Sequence, residues 1–191
     1  MQNKLVQYFS ELTALSSEER QDIENSMMIN KFPKGTYLLK EGQIARDSYF
    51  VIKGLVREFI LWDGDEKTTN FFSENQWIIS LDTLASTPPS ILNRVCVEDC
   101  VLVIGNEKMS KELFKKHPRF EAISRMVMEK TFAGQQQQMT SFFTESPEQR
   151  YLKLLKLRPD IFQRVPQYQI ASYIGVKPES LSRIRKRIAK Q

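Results

Sequence analysis

Between Lys31 and Asn106 the residue pattern differs from that of the flanking segments. This segment is a series of short β-branched and aromatic runs, namely YLLK, SYFVIKG, VREFILW, TTNFF, WIIS and RVCVEDCVLVIG. Glycines interrupt the series at Gly35, Gly42, Gly54, Gly64 and Gly105. Turn signals at such short spacing predict a closed or sandwich-like antiparallel β unit rather than alternating strands and helices.

Helical patterns flank this β unit on both sides. Residues 5–29 combine spaced leucines, a serine pair suited to helix capping and acidic residues in the following turn. After Gly105, the segment KMSKELFKKHP predicts a short helix that ends at Pro118. Pro118 then suits the first turn of a second helix, which runs to about Phe143 and is about 40 Å long.

The long helix carries an apolar stripe at its start, formed by Phe120, Ile123 and Val127. Two interpretations fit this stripe: a surface helix packed on the β unit, or a seam between two copies of the chain. We favour the seam, because a compact neighbour does not need so long a helix to cover it. The predicted dimer interface comprises these three residues and Gly134, where the helix either approaches another backbone closely or bends.

Length and composition favour a globular protein of two units. The chain has 191 residues, of which 41% are hydrophobic and 27% charged, and typical domains have about 100–150 residues. No run reaches the roughly 20 apolar residues of a membrane helix, and the first residues lack the pattern of a signal peptide. We therefore expect a cytoplasmic protein with no membrane partner.

The positive charge is concentrated in the tail of the chain. Residues 147–191 contain 11 Lys/Arg and 3 Asp/Glu, whereas residues 1–146 contain 17 and 20. This asymmetry predicts a polyanionic partner for the C-terminal unit only.

Patterns for catalysis, metals and cofactors are weak or missing. Cys96 and Cys100 fall in one apolar run, where a spacing of four places both on the same face of a strand, and we expect buried, reduced thiols. Two cysteines cannot supply the four thiolates of an ordinary iron–sulfur cluster. His117 is expected at a helix junction beside Pro118 rather than as a haem ligand. Without a nucleophile pattern, a Gly-rich phosphate loop or a metal-ligand cluster, the sequence predicts no enzyme, no catalytic or metal site and no cofactor.

The pattern of the C-terminal tail predicts a helical unit that begins near residue 144. In ESPEQRYLKLLKLRPDIF, Ser146 can cap a helix and Pro147 suits its first turn. In QYQIASYIGVKPESLSRIRKRI, Gly175 suits the end of one helix and Pro178 the start of the next. The apolar positions that these two helices share are Ile170, Ile174, Val176, Leu181, Ile184 and Ile188. This pattern predicts a helix-turn-helix.

Polar residues off the apolar stripe are candidates for DNA contact. Glu179 and Arg183 lie four residues apart near the start of the second helix, which is the end that enters the major groove in such modules. A carboxylate there can accept a hydrogen bond from cytosine N4, and an arginine can bind guanine or phosphate. An intrahelical salt bridge is the alternative interpretation. The full candidate set is Gln167, Tyr168, Lys177, Glu179, Ser180, Ser182, Arg183, Lys186 and Arg187. Of these, Lys186 and Arg187 are assigned to phosphates together with Lys190.

The chain resembles the Crp/Fnr family of bacterial transcription regulators over nearly its whole length. The resemblance lies in FPKGTYLLKEG and DSYFVIKGLVR in the β unit and in IASYIGVKPESLSRIRKRI in the tail. It implies an α+β protein: an antiparallel β-roll of the double-stranded β-helix or jelly-roll type with flanking helices, a long dimerisation helix and an all-α helix-turn-helix domain. The implied boundaries are 1–117 for the cyclic-nucleotide-binding-like domain, 118–144 for the dimerisation helix and linker, and 145–191 for the helix-turn-helix DNA-binding domain, which we call the reader.

The resemblance also implies a function, namely a homodimeric, sequence-specific transcription regulator on a near-palindromic operator. Its partners are then double-stranded DNA, a second copy of the chain and RNA polymerase. Glu179 and Arg183 match base-reading positions of the family, whereas Pro178 stands where the family has an arginine. Family members commonly continue into a β-hairpin wing after the recognition helix, and a wingless chain is expected to bind DNA more weakly in the same mode. The alternative is a ligand- or protein-binding roll whose helical tail does not read DNA.

The cyclic-AMP cassette of the family is degenerate in WIISLDTLASTPPSILNRVCV. Ile79 and Ser80 stand where the family has a Gly-Glu pair, and Ser90 and Ile91 stand where it has an arginine and a small polar residue. A buried phosphodiester needs such charges, so the sequence predicts no control by cyclic AMP. Three alternatives stay open: a displaced pair formed by Asp82 and Arg94, a polar cavity for another small molecule, or no ligand. The candidate effector pocket comprises Ile79, Ser80, Asp82, Ser90, Ile91 and Asn93.

Overall fold

The computed structural model describes residues 3–80 and 89–189. Two helices, α1 (Asn3–Leu12) and α2 (Ser17–Ser26), precede the first strand. Ser16 and Glu19 form a capping box: Ser16 Oγ accepts a hydrogen bond from the Glu19 N–H at 3.1 Å, and the Glu19 carboxylate accepts one from the Ser16 N–H at 2.7 Å. The predicted helical lead-in to residue 29 is too long, because a β-strand already begins at Met28.

The β unit consists of two four-stranded antiparallel sheets. Their orders are β1-β8-β3-β6 and β2-β7-β4-β5. The strands are β1 (Met28–Phe32), β2 (Tyr37–Leu39), β3 (Asp47–Lys53), β4 (Val56–Trp62), β5 (Asp65–Phe72), β6 (Trp77–Ile78), β7 (Asn93–Cys96) and β8 (Cys100–Asn106). The predicted antiparallel β-roll is confirmed.

The run RVCVEDCVLVIG forms two strands rather than one. β7 ends at Cys96 in one sheet and β8 begins at Cys100 in the other, so residues 97–99 cross between the sheets. Gly54 packs against this crossing with a φ of +105°, and a Cβ there would lie 2.6 Å from Cys100 Sγ. Both thiols are free and buried, as predicted, but the prediction that they share one strand is wrong.

Strand β3 separates two hydrophobic clusters because its side chains alternate between its faces. Tyr49 and Val51 belong to the cluster inside the roll, and Phe50 and Ile52 to the cluster outside it. The outer cluster also contains Leu5, Val6 and Tyr8 of α1, Ile23 of α2, and residues of the long helix. Helices α1 and α2 thus cover one sheet.

The long helix is packed on the roll at its start. A short helix, α3 (Glu107–Lys116), leads into α4 (Phe120–Thr144). Phe120, Ile123 and Val127 are 2–4% exposed and lie in the outer cluster of this same chain. Their assignment to a dimer seam is therefore wrong, and the packed-helix alternative is correct for the first two turns. Gly134 makes no close approach within the chain, because a Cβ there would meet no atom within 4 Å.

The tail forms four helices: α5 (Pro147–Leu157), α6 (Ile161–Arg164), α7 (Gln167–Tyr173) and α8 (Pro178–Ile188). Ser146 caps α5 in a capping box with Gln149, and Pro147 occupies the first helical position, as predicted. The apolar residues of these helices form one cluster with Leu55 and Phe71 of the roll. Roll and tail therefore share a hydrophobic core. No helix among the described residues is long and apolar enough to cross a membrane.

Candidate functional site

The turn between α7 and α8 sets the relative orientation of the two helices of the helix-turn-helix. Gly175 has a φ of +75° and follows α7, with its N–H bonded to the Ser172 carbonyl at 3.1 Å. The Val176 N–H bonds to the Ala171 carbonyl at 2.9 Å, which completes a Schellman motif. Space is a second constraint, because a Cβ on Gly175 would lie 2.9 Å from the Phe142 ring. Both backbone and packing thus require glycine here.

The predicted apolar stripe of the tail is confirmed. Ile170, Ile174, Leu181 and Ile184 are buried, and Val176 and Ile188 pack against the same cluster. Because α8 buries one face, its opposite face is left to solvent. That opposite face is the candidate nucleic-acid interface.

Most of the predicted DNA-contacting residues lie on exposed surface. Gln167, Tyr168, Lys177, Glu179, Ser182, Arg183, Lys186 and Arg187 are exposed, and Ser180 is half-buried. In the described part of the chain, no salt bridge joins Glu179 to Arg183, so both side chains are open to a ligand. Arg187 instead forms an ion pair with Glu148 of α5. The sequence pattern does not predict this pair, since the partner lies on another helix.

The first helix of the helix-turn-helix is anchored to the roll. Ser172 Oγ accepts a hydrogen bond from the Thr68 N–H of β5 at 2.8 Å and donates one to the Glu66 carbonyl at 3.0 Å. Arg158, which follows α5, donates to the Phe71 carbonyl at 2.7 Å and to Ser73 Oγ at 3.1 Å. The tail is therefore held on β5 by polar contacts as well as by the shared core.

An arginine at the end of α6 strengthens this attachment. Arg164 reaches Glu74 at 3.0 Å and Glu98 at 2.5 Å, both on the roll, and Asp160 at 3.1 Å. The hydrogen bond with Glu98 raises the pKa of the Arg164 guanidinium. Burial raises the pKa of Glu74, but Arg164 and the Gly54 N–H outweigh it and hold this pKa below its ordinary value.

A buried ion pair occupies the interior of the roll beside the predicted effector pocket. Arg94 Nε donates to Glu58 Oε2 at 2.8 Å, and the two side chains are 3% and 9% exposed. Arg94 Nη1 also donates to Ser80 Oγ at 2.6 Å, and Thr69 Oγ1 donates to Glu58 Oε1 at 2.9 Å. The Arg94 charge is thus paired and hydrogen-bonded within the chain.

The other predicted pocket residues do not all come together. Ser90 and Asn93 are buried, whereas Ile79 packs against the outer cluster and Ile91 is 67% exposed. The exposed Ile91 cannot line an interior pocket, so its assignment is wrong. Asp82 lies outside the described residues, and the arginine proposed as its partner pairs with Glu58 instead. A cavity of about 500 Å³ lies beside this ion pair and is lined by Leu38, Gly42, Ile44, Asp47, Tyr49 and Arg94.

Glu58 is a site residue that the sequence patterns do not predict. Its only local signal is a carboxylate among the apolar residues of VREFILW, and its partner lies 36 positions away. A charge at an inward position of an apolar strand predicts an internal counter-ion. The identity of that counter-ion becomes visible only when β4 and β7 are paired, with Glu58 opposite Arg94.

Two further groups of titratable residues lie outside these sites. Cys100 Sγ lies 3.5 Å from the Leu55 carbonyl and 3.3 Å from the Glu98 carbonyl. Interaction between the two neighbouring thiols raises the pKa of Cys96 and lowers that of Cys100. His117 ends α3, as expected of a junction residue, and its Nε2 lies 2.5 Å from Asp22 Oδ2. Lys116 Nζ lies 2.7 Å from the same oxygen, so an ammonium group already neutralises the carboxylate next to His117.

Comparisons with known proteins agree with this geometry. The family model for the cyclic nucleotide-binding domain matches residues 29–117. The anaerobic regulatory protein of Bacillus subtilis (strain 168) is 30% identical to this chain over 108 residues, which are 56% of the chain and 45% of that protein. The matched part is thus less than half the length of that relative.

Solved structures of regulators share the fold. The c-di-GMP responsive global regulator CLP of Xanthomonas campestris superposes with a TM-score of 0.70 at 17% identity, over 92% of each chain. A protein assigned to the Crp/Fnr family from Eubacterium rectale ATCC 33656 also has a TM-score of 0.70 at 17% identity, over 96% of this chain and 88% of that one. At such identities the likeness concerns the fold, and it extends over both the roll and the helical tail.

Proposed function

We propose that this chain, whose residues 29–117 match the cyclic nucleotide-binding domain, is a regulator of the Crp/Fnr type: a cytoplasmic, sequence-specific DNA-binding transcription regulator that acts as a homodimer and is not controlled by cyclic AMP. The observation that carries this proposal is the exposed, basic face of α8 beside a glycine turn. Four exposed cationic residues, Arg183, Arg185, Lys186 and Arg187, lie on one short helix whose other face is buried. A helix with this division of faces suits the major groove.

The roles of individual residues follow from their place on α8. Glu179 and Arg183 lie towards the N-terminal half, where groove-facing helices contact base edges, and we assign them to base reading. Lys186 lies nearer the C-terminus, where a point charge serves a phosphate, and Lys177 precedes the helix. Arg187 is paired with Glu148 and becomes available to a phosphate only when that pair opens.

A second copy of the chain is the proposed occupant of the exposed face of α4. Met128, Phe132, Gln135, Met139 and Phe142 follow one another at spacings of four, three, four and three residues, which is the heptad pattern of a two-stranded coiled coil. Phe132 is 55% exposed and Met139 is 63% exposed. Burial of such residues against a partner helix is favourable. We call this set the heptad stripe.

The dimer sets the geometry of the proposed operator. Two reader units related by a two-fold axis meet successive major grooves about 34 Å apart, so the operator is a near-palindrome. Linking two half-sites also raises affinity without new contacts.

Cyclic AMP is a poor fit to the interior of the roll. The buried guanidinium of Arg94 already has the Glu58 carboxylate as its partner, and a phosphodiester would have to displace it. Calorimetry with cyclic AMP is expected to show no binding at micromolar concentrations, and micromolar binding would overturn this part of the proposal.

Fluorescence anisotropy on DNA selected from a random pool tests the reader assignment. Arg183→Ala is expected to cost about 1–3 kcal/mol on the selected site and to relax one base position. Lys186→Ala is expected to weaken specific and random DNA alike and to reduce the salt slope by about one. Lys115→Ala, an exposed lysine on α3, serves as the control and is expected to change neither. Equal effects of the first two variants on specific and random DNA would refute the assignment of roles.

A second candidate function is a binding module whose tail is only a structural cap. The shared core of roll and tail and the anchor at Ser172 favour it, because a tail fixed to the roll can serve stability alone. The two functions differ in one result: the structural cap predicts no DNA binding by the dimer even at low salt.

A further inference from the structure

A cleft lies where the long helix, the roll and the tail meet. Its volume is about 370 Å³, and its lining comes from α1, α4, α5, α7, strands β5 and β6 and the connection between these two strands. We call it the junction cleft. Its residues include neither Glu58 nor Ser80 nor Arg94, so it is distinct from the ion pair inside the roll. Its size suits a small organic molecule.

The lining of the junction cleft is positively charged. Its charged side chains are Lys130, Arg150, Lys153 and Arg158, and none of its lining residues is acidic. Only Lys153 has a carboxylate partner in the described part of the chain, Glu145 at 2.7 Å. The cleft therefore holds more positive charge than the protein itself compensates.

The two arginines are held in place by neutral groups. Arg150 donates to the Ile174 carbonyl at 3.0 Å and to the Glu145 carbonyl at 2.5 Å. Among the described residues, Arg158 has the Phe71 carbonyl and the Ser73 hydroxyl as its hydrogen-bond partners. Burial lowers the pKa of the Arg158 guanidinium, and the more distant Asp160 and Glu74 carboxylates only partly oppose this effect. Guanidinium groups that are held by neutral groups and form no direct ion pair with a described carboxylate favour an anion in the same cavity.

Aromatic side chains give the cleft flat apolar surfaces. The lining includes Tyr8, Phe72, Trp77, Phe142 and Tyr173. Two of these rings already face cations: Lys130 Nζ lies 5.4 Å from the Tyr8 ring centre, and the Arg150 guanidinium lies 4.9 Å from that of Phe142. The buried indole Nε1 of Trp77 has no hydrogen-bond partner among the described residues. Aromatic surfaces, amides and cations together select a planar ring that carries a negative charge.

We propose that the junction cleft binds a small organic anion with a planar ring, either an aromatic carboxylate or a nucleoside monophosphate. Such a ligand contacts α4, the roll and the tail at once. A direct contact between α4 and the roll is also present at the cleft, because Gln138 Nε2 donates a hydrogen bond to the Thr69 carbonyl at 2.5 Å. Binding at the cleft does not depend on DNA reading, so it is tested on the protein alone. Any effect of the ligand on operator affinity rests on the proposed function.

The experiment uses the full chain and the fluorescent aromatic sulfonate anilinonaphthalene sulfonate as a probe. Gly134→Leu fills the cleft from α4 at a position where a Cβ meets no atom within 4 Å, and leucine favours helix over glycine. Ala133→Leu, at an exposed neighbouring position, is the matched control. We expect Gly134→Leu to weaken probe binding by about tenfold or more and Ala133→Leu to change it by less than about twofold.

A charge-removal pair tests the cations independently. Lys130→Gln with Lys153→Gln is expected to weaken the probe by about tenfold or more, whereas Lys108→Gln with Lys115→Gln removes the same charge from exposed positions on α3 and leaves binding unchanged. Thermal unfolding of each variant shows that it is folded. A wild-type protein that does not bind the probe, or cleft variants that bind it as wild type does, would overturn the proposal.

Competition identifies the class of ligand. Salicylate and adenosine monophosphate are expected to displace the probe at concentrations well below those needed for inorganic phosphate. If salicylate displaces the probe at the lower concentration, the ligand class is an aromatic carboxylate. If adenosine monophosphate does so, the class is a nucleoside monophosphate. Displacement by inorganic phosphate as strong as by both ringed anions overturns the planar-ring class.

Discussion

Arg164 contributes to the attachment of the tail to the roll, and its removal is a direct test of that contact. The guanidinium makes hydrogen bonds to the carboxylates of Glu74, Glu98 and Asp160 and is 19% exposed. Arg164→Ala removes every one of these bonds and leaves three carboxylates facing each other. We expect the variant to fold and to be less stable.

The magnitude follows from the exposure of the partners. Exposed ion pairs contribute about 0.2–1 kcal/mol, and breaking a fully buried pair costs about 3–5 kcal/mol. Glu74 and Glu98 are 31% and 35% exposed, so water solvates them again when the arginine is lost. The expected loss lies between these limits at about 2 kcal/mol, which lowers the melting temperature of a chain of this size by about 4–8 °C.

Urea unfolding followed by circular dichroism measures this loss. Arg185→Ala is the matched control, because Arg185 is exposed and forms no ion pair within the described residues. A single transition is expected, since Leu55 and Phe71 of the roll belong to the core of the tail. If Arg164→Ala lost less than about 0.5 kcal/mol relative to the control, the reasoning about a partly buried clamp would be refuted.

Three further predictions concern the dimer, acid stability and the reader turn. Phe132→Ala with Met139→Ala in the heptad stripe is expected to raise the dimer dissociation constant by about tenfold or more; Met126→Ala, an exposed methionine outside the stripe, leaves it unchanged in sedimentation equilibrium. Because the folded-state pKa of Glu74 is lowered, its stabilisation is complete above about pH 4.3 and is lost as pH falls through the lower folded pKa; Glu74→Gln is expected to reduce this dependence in urea unfolding between pH 6 and pH 3, and an unchanged slope would contradict it. Gly175→Ala is expected to cost about 1–3 kcal/mol by thermal unfolding, because its φ is +75° and a Cβ has no room.

Local patterns predicted the elements of this fold well. Glycines and β-branched runs marked most of the strands, and the caps at Ser16 and Ser146 marked helix starts correctly. Gly175 and Pro178 marked the turn of the helix-turn-helix. These signals succeed because capping, backbone conformation and proline geometry act within a few residues of the chain.

Contacts between distant elements were the part that local patterns did not predict. The stripe of Phe120, Ile123 and Val127 is apolar because the roll covers it, and helical spacing alone does not say which surface does the covering. The heptad stripe begins at Met128 on the same helix, and its spacing is present in the sequence. Glutamines interrupt its apolar pattern, which makes the stripe hard to recognise. Arg164 pairs with Asp160 four residues earlier, which is a local contact, but its partners Glu74 and Glu98 lie on the roll, and only the packed fold brings them to it.

The pairing of Glu58 with Arg94 changes what the degenerate cassette means. Ser80 and Ser90 stand where the resemblance places a carboxylate and an arginine, yet the roll contains a buried guanidinium and a buried carboxylate that come from two paired strands. A buried ion pair with its hydrogen bonds satisfied is costly to open, since each charge would lose its partner. A phosphate that approached Arg94 would also meet the negative charge of Glu58, whereas of the four cations that line the junction cleft only Lys153 forms an ion pair within the described residues. The charge balance of the two cavities therefore favours anion binding at the junction rather than inside the roll.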